Sequence, residues 1–150
     1  MRLIPVFLLL AGCGAADDAE RAPAGTAARA APEAPERVPT AAELVDMHAA
    51  AAALRSYYDR IARRDYRGAW QLRERGRRED YEAFARSFEP YADYHADIGQ
   101  TSFPAEADGH VWIDAPVQIW GRRKDGERFG SVGRVMLKRR AGSRDWKVAP

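Results

Sequence analysis

Cysteine is almost absent from this chain, because Cys13 is the only one among 150 residues. No disulfide can therefore form within the chain, and neither a thiolate zinc site nor a cysteine-ligated iron–sulfur cluster can be built. A large excess of one charge is also lacking: 24 Lys and Arg residues stand against 22 Asp and Glu residues, for a net charge of +2. This balance gives no indication of nucleic-acid binding, and we predict none.

Long apolar runs are scarce as well. The one clear run covers residues 3–10, directly after Arg2, and it is too short to span a bilayer as a helix. A basic start and a short apolar run have the layout of a secretory signal. The run ends in four residues that resemble the lipobox of bacterial lipoproteins: Leu10, Ala11, Gly12 and Cys13. The alternatives are an ordinary signal peptide with a chance cysteine, or a buried apolar strand.

The lipobox resemblance implies a cellular location for the protein. Residues 1–12 would be removed as a signal peptide, and Cys13 would carry the lipid, so that it would not be free as a nucleophile. Each buried CH₂ of an acyl chain contributes about 0.8 kcal/mol to membrane binding. Gly14 stands where an aspartate would signal retention in the inner membrane. The resemblance therefore implies a lipid-anchored envelope protein on the periplasmic face of the outer membrane.

A spacer follows the predicted anchor. Residues 14–39 consist of Ala, Pro, Gly, Thr and scattered charges, with Val38 as the only large aliphatic residue. So little apolar surface cannot offset the entropy lost on ordering. We predict a lipidated Cys13 and a disordered tether over 13–39, followed by a single domain over 40–150.

Three helices are predicted at the start of this domain. Thr40 and Glu43 have capping-box spacing, which places a helix start at Thr40. Asp65 is expected to cap a second, short helix, and Pro90 to close a third that carries Tyr81, Phe84 and Phe88. The apolar stripe of the first helix is predicted at Leu44, Met47, Ala51, Leu54, Tyr58 and Ile61.

The apolar period changes from about 3.6 to 2 after Pro90. Alternation predicts strands over 91–98, 111–119, 129–140 and 146–148. A hairpin turn of the Asp-Gly kind is expected at Asp125 and Gly126. Helices followed by an antiparallel meander give an α+β fold class.

The order of these elements resembles the nuclear-transport-factor-2-like superfamily, which includes ketosteroid isomerase-like enzymes. The resemblance covers residues 49–148 and rests on the three helices, the long hairpin, a terminal Trp-Lys-Val strand and the segments Tyr57-Tyr58-Asp59, Arg64-Asp65-Tyr66 and Ala69-Trp70. It implies a cone-shaped roll in which three N-terminal helices pack on a curved antiparallel sheet. The expected place for a ligand is the concave space between helices and sheet.

Candidate chemistry at such a pocket centres on Asp93 and Asp114. An isomerase of the superfamily would need a carboxylate base beside a tyrosine, and Tyr57 or Tyr58 offers a phenol. The favoured interpretation is that the tyrosine packs against a helix and that both aspartates face solvent, with no catalytic residue assigned. Trp70, on the second predicted helix, is a further candidate for the pocket or a partner surface.

Asp93, His95 and Asp97 share one strand face, so that they could converge on a metal ion. The opposite face holds Tyr94 and Ile98, which favours placing the polar set in water. We therefore predict neither a metal site nor a cofactor.

The central strand has a second face with Trp112, Asp114 and Trp120. If the alternating aliphatic residues pack on the helices, both tryptophans lie on the outer side of the sheet, where a homodimer contact is expected. The alternative is that they line the pocket. A basic cluster forms either a patch for anionic partners or, as we favour, a solvated surface: Arg60, Arg63, Arg64, Arg67, Arg73, Arg75, Arg77 and Arg78.

The sequence thus predicts a lipid-anchored, non-catalytic envelope protein that binds a small hydrophobic ligand or an envelope protein. An isomerase- or cyclase-type enzyme with a buried carboxylate is the alternative. A further alternative is a structural subunit of an envelope complex. Inward carboxylates, an empty apolar cone or a filled cone would distinguish the three.

Overall fold

The structure is a computed structural model that describes residues 37–74 and 80–149. The predicted signal peptide, Cys13 and most of the tether lie outside the described residues, as do Arg75, Arg77 and Arg78. Within the described part, no helix has both the length and the apolarity needed to cross a membrane.

Helix α1 spans Ala41–Ala62 and begins with the predicted capping box. The Thr40 hydroxyl accepts a hydrogen bond from the Glu43 amide at 3.3 Å, and the Glu43 carboxylate accepts one from the Thr40 amide at 2.8 Å. Helix α2 spans Tyr66–Gln71, and its predicted cap is confirmed because Asp65 accepts a hydrogen bond from the Gly68 amide. Helix α3 spans Tyr81–Arg86 and ends before Pro90, the last residue of the turn that follows the helix.

The buried stripe of α1 differs in part from the predicted one. It runs through Met47, Ala50, Leu54, Tyr57 and Ile61. Ala51 and Tyr58 are half-buried, and Leu44 is exposed. Spacings of three and four residues fit both stripes, so the sequence pattern did not decide between the adjacent tyrosines. The ring of Tyr57 packs against Phe84 of α3, whereas that of Tyr58 packs against strand residue Tyr94.

Five antiparallel strands form one sheet: β1 Tyr91–Ile98, β2 Ala105–Ala107, β3 His110–Arg123, β4 Arg128–Arg140 and β5 Lys147–Val148. The order is β1-β3-β4-β5, and β2 pairs with the start of β3. Strand β2 was not predicted, because its three exposed residues carry no alternating pattern. Helices followed by a curled antiparallel sheet confirm the α+β class.

The helices cover one face of this sheet. Val111, Ile113, Ala115 and Val117 of β3 are buried in one core with the α1 stripe, and Leu137 of β4 lies opposite Ile113. The side chains that alternate with them form what we call the outer face: odd-numbered residues 93–97 of β1, even-numbered residues 112–122 of β3 and even-numbered residues 128–140 of β4. This alternation places Trp112 and Trp120 on the side away from the helices.

Candidate functional site

Aromatic side chains fill the space between the helices and β1. The rings of Tyr58 and Tyr94 are stacked with centroids 6.3 Å apart, and Phe88 contacts Tyr94 edge-on at 5.6 Å. The same cluster continues through Phe84 of α3 and Phe129 of β4. The pocket that the described residues form here, between Ile61, Tyr66, Phe88 and Tyr94, has a volume of only about 10 Å³.

That volume holds about one water molecule, whereas ligand sites usually enclose about 300–1,000 Å³. This aromatic cluster therefore leaves no ligand-sized space among the described residues that it joins. A wider hollow of about 640 Å³ lies between the first half of α1 and the turn after β4, and its lining includes Val45, Ala49, Arg139 and Trp146. Burial raises the pKa of Tyr58 above its usual value. Burial also raises the pKa of Tyr94, with a further contribution from the neighbouring tyrosines. Both phenols are consequently packing groups that stay neutral over the physiological range.

The sheet register places the two strand carboxylates, Asp93 and Asp114, on the outer face. Asp93 accepts a hydrogen bond from the Arg122 amide at 2.9 Å. Asp114 forms an ion pair with the cross-strand residue Arg134, and its second carboxylate oxygen has no partner among the described residues. The inward carboxylate that an isomerase site requires is thus supplied by neither Asp93 nor Asp114.

Asp93, His95 and Asp97 share the outer face and are exposed. His95 Nε2 lies 3.7 Å from an Asp93 carboxylate oxygen, and the His95 ring stacks on Trp120 with centroids 5.7 Å apart. No group of three His, Cys, Asp or Glu residues in the described part of the chain is arranged to hold a metal ion.

Trp70 is a core residue. It is 9% exposed and packs against Tyr81 and Phe84, with ring centroids 6.1 and 5.1 Å away. Its place within the packed aromatic cluster removes it from the candidate partner surfaces.

The tryptophans of the outer face differ from Trp70. Trp120 is 37% exposed, and Trp112 is half-buried beneath the Lys138 ammonium, 4.8 Å from the ring centroid. Two further large apolar residues of this face, Val132 and Met136, are 76% and 50% exposed. Neither residue was predicted from the sequence, because their outward direction follows only from the pairing of β4 with β3.

The described members of the basic cluster are engaged in local contacts. Arg60 pairs with Asp65 at 2.7 Å, Arg64 donates to the Ala92 carbonyl at 3.0 Å, and the Arg67 guanidinium lies 4.4 Å above the Tyr81 ring. Arg63 reaches Asp59 at 3.8 Å, and Arg73 lies over Trp70. These contacts favour the solvated-surface interpretation over a free anion-binding patch.

The structure brings together a second group of arginines that the sequence did not predict. Arg122 and Arg128 are direct cross-strand neighbours on the outer face, beside the β3–β4 turn. Neither guanidinium has an ion pair or hydrogen bond with any of the described residues. The predicted hairpin turn at Asp125 and Gly126 was the sequence feature that could have indicated this pairing, because residues on either side of such a turn lie opposite each other.

No protein-family model and no curated protein matches the sequence. Solved structures do match. A Salmonella enterica protein of the nuclear transport factor 2 (NTF2-like) superfamily aligns with a TM-score of 0.52 and 15% identity over 72% of this chain and 88% of its own. The fold is NTF2-like. Identities of this size show the fold alone.

Proteins of different kinds share this NTF2-like fold. A Novosphingobium aromaticivorans protein whose name proposes an aromatic ring hydroxylase has a TM-score of 0.56 and 14% identity over 75% of this chain and 87% of its own. The association domain of C. elegans CaMKII has a TM-score of 0.52 and 10% identity over 73% and 95%. Because one fold serves both an enzyme-like and an associating protein, function must be argued from the site.

Proposed function

We propose that this protein is a non-catalytic interaction module, held at the cell envelope by a lipid on Cys13. The observation that carries the non-catalytic part is the filled interior: aromatic rings occupy the space where an NTF2-like enzyme would hold its substrate, and Asp93 and Asp114 lie on the outer face. A small hydrophobic ligand has no room there within the described structure. The exposed outer face is then the surface that interacts.

The outer face has the composition of a contact surface. Trp120, Val132 and Met136 are three of the large apolar side chains that the described structure leaves exposed, and all three lie on this face. Exposed aromatic and methionine side chains are enriched at protein interfaces. The association domain of CaMKII offers a precedent for association by a protein of this fold.

The partner we propose is a second copy of this chain, and the argument is the distribution of charge. Strand β1 carries Asp93 and Asp97 with no Lys or Arg, whereas β4 carries basic residues with no Asp or Glu. In a face-to-face pair, a two-fold axis parallel to the strands and above β3 would place each β1 opposite the partner's β4. Opposite charges would then flank the apolar centre on both sides.

Sedimentation equilibrium tests the pairing. The full-length protein in detergent should have a protein mass of two chains, and Val132→Asp should reduce it to one chain because a carboxylate would be buried against its symmetry-related surface. Leu44→Asp, on an exposed position of α1, is the matched control and should remain paired. A single-chain mass for the unsubstituted protein would refute the proposed partner.

A separate experiment tests the anchor. Cys13→Ser removes the only thiol that can be lipidated, so the variant should accumulate as an unprocessed precursor without incorporated fatty acid. The measurement is metabolic labelling with a radioactive fatty acid, followed by fractionation. Normal labelling and processing of the variant would contradict the lipid anchor without affecting the proposed pairing.

A further inference from the structure

Two arginines at the hairpin end of the outer face have no counter-charge among the described residues. Arg122 of β3 and Arg128 of β4 are paired residues in the sheet register, and both are exposed. Like charges directly opposite each other on neighbouring strands destabilise a sheet. Because no described carboxylate forms an ion pair with either side chain, the structure leaves this repulsion uncompensated. An anion bound between the two guanidinium groups would remove it.

A flat aromatic surface adjoins the arginine pair. Trp120 precedes Arg122 on the same face, and Gly130 is its cross-strand neighbour on β4. A side chain at Gly130 would meet almost nothing within 4 Å, so the indole is uncovered on that side. On the other side the His95 ring stacks against it at 5.7 Å. One side of the Trp120 indole is therefore open, and we call this open aromatic surface the shelf.

The shelf and the arginines belong to one hollow. Its volume is about 370 Å³, and its lining includes His95, Trp120, Arg122, Arg128 and Phe129. Asp93 also lines it, but its carboxylate already accepts a hydrogen bond from the Arg122 amide and lies near His95. The volume lies within the range of small-molecule sites.

We propose that this hollow is a binding site for a sugar ring that carries an oxyanion, either a phosphate or a carboxylate. Arginine guanidinium groups match both oxyanions with paired N–H donors. The negative face of the indole attracts the weakly positive C–H groups on the flat side of a sugar ring. The site lies outside the cone. Because Trp120 also belongs to the proposed contact surface, a bound ligand and a second copy of the chain should compete for it.

The hollow shares Trp120 with the proposed contact surface, but its arginines lie at the hairpin end, away from Val132. Arg128 lies four residues before Val132 along β4, which corresponds to about 13 Å of extended strand. Substitutions at the arginines and at Val132 should therefore have distinguishable effects. Arg122→Gln should abolish ligand binding in a protein that still pairs, and Val132→Asp should separate the copies while ligand binding persists.

Isothermal titration calorimetry of the full-length protein in detergent tests the site, with glucose 1-phosphate, glucuronate, glucose and inorganic phosphate as probes. The two anionic sugars should bind, and glucose and inorganic phosphate should each bind at least about tenfold more weakly. The anionic sugar that binds with the higher affinity identifies which oxyanion the arginines prefer. Equal affinity for glucose, or no binding of either anionic sugar, would overturn the proposal.

Matched variants locate the binding. Arg122→Gln, Arg128→Gln and Trp120→Ala should each weaken the better probe by about tenfold or more. Arg140→Gln is the control, because it removes an exposed arginine from the same face of the same strand as Arg128. Gly130→Val should also prevent binding, because the valine side chain would cover the shelf. The strand should still form, since the space around Gly130 is open. An equal loss in Arg140→Gln would show diffuse charge attraction and refute the site.

Discussion

The ring of Tyr58 on α1 lies nearly parallel to the ring of Tyr94 on β1, with an angle of 11° between their planes and 6.3 Å between their centroids. This stack fills the space between the second half of α1 and β1. Because side chains fill the cone here, we expect partners to bind the outer surface.

Truncating Tyr94 should therefore reduce stability rather than reveal a function. Tyr94→Ala removes a half-buried ring from the aromatic cluster, and we expect a loss of about 3 kcal/mol in the free energy of unfolding. Tyr94→Phe is the control and should change it by less than about 1 kcal/mol, since it retains the ring. Urea denaturation followed by circular dichroism measures both. Equal stability of Tyr94→Ala and the parent would show that the ring is not part of a packed interior.

The same two tyrosines predict a loss of stability at alkaline pH. Burial raises the pKa of Tyr58 and of Tyr94 above the ordinary value of 10.0. Above pH 10 the unfolded chain loses these phenolic protons while the folded chain retains them, so the unfolded state is favoured as the pH rises. The stabilising contribution is complete below pH 10 and is lost toward the higher folded-state pKa values.

Urea unfolding at several pH values from 9 upward tests whether the free energy of unfolding falls as predicted. The double variant Tyr58→Phe/Tyr94→Phe should lose less stability above pH 10 than the parent, because it lacks both phenols. A parallel decline in the two proteins would assign the alkaline loss to other groups.

Asp46 of α1 and Arg139 of β4 form a two-contact ion pair, with N–O distances of 3.1 and 2.7 Å. Their side chains are 24% and 13% exposed, so the pair is largely shielded from water. Asp46→Asn should lower the free energy of unfolding by about 2 kcal/mol. Asp59→Asn is the control, because Asp59 meets Arg63 at 3.8 Å with both side chains well exposed; we expect a change of less than about 0.5 kcal/mol.

Gly121 is required by the close approach of β1 to β3. A Cβ atom at this position would overlap the Asp93 carbonyl oxygen and lie 2.9 Å from the Phe129 ring. Gly121→Ala should therefore reduce the thermal midpoint and the free energy of unfolding, the latter by about 2 kcal/mol. Gly130→Ala should be tolerated, since its Cβ would have no contact closer than 3.7 Å. Comparable losses in the two variants would argue against this packing.

Much of the fold was predictable from the sequence because it depends on local patterns. The Thr40 capping box, the Asp65 cap and the alternation along β3 and β4 follow from spacing alone. The choice between Tyr57 and Tyr58 as the buried residue depended on where α3 and β1 pack, and the helical period does not contain that information. Strand β2 forms through pairing with β3 rather than through its own residues.

The candidate site was harder to predict. Whether the cone is open or filled depends on the summed volumes of side chains from several elements, including Phe88 of the turn after α3 and Phe129 of β4. The juxtaposition of Arg122 and Arg128 depends on the register of one hairpin. In both cases the sequence supplied the residues, but only the tertiary structure supplied their arrangement.

Chemical cross-linking in membranes tests the central claim, that two copies meet through the outer face. With Cys13 lipidated, an introduced cysteine is the only free thiol, and the unsubstituted chain serves as the blank. Gln118 lies on the outer face of β3, near the proposed two-fold axis, so Gln118→Cys should place two thiols opposite each other across sheets about 10 Å apart. A short bis-maleimide should convert Gln118→Cys to a two-chain band and leave Ala52→Cys, on an exposed position of α1, as single chains. A single-chain band for Gln118→Cys, or equal cross-linking of both variants, would contradict the account.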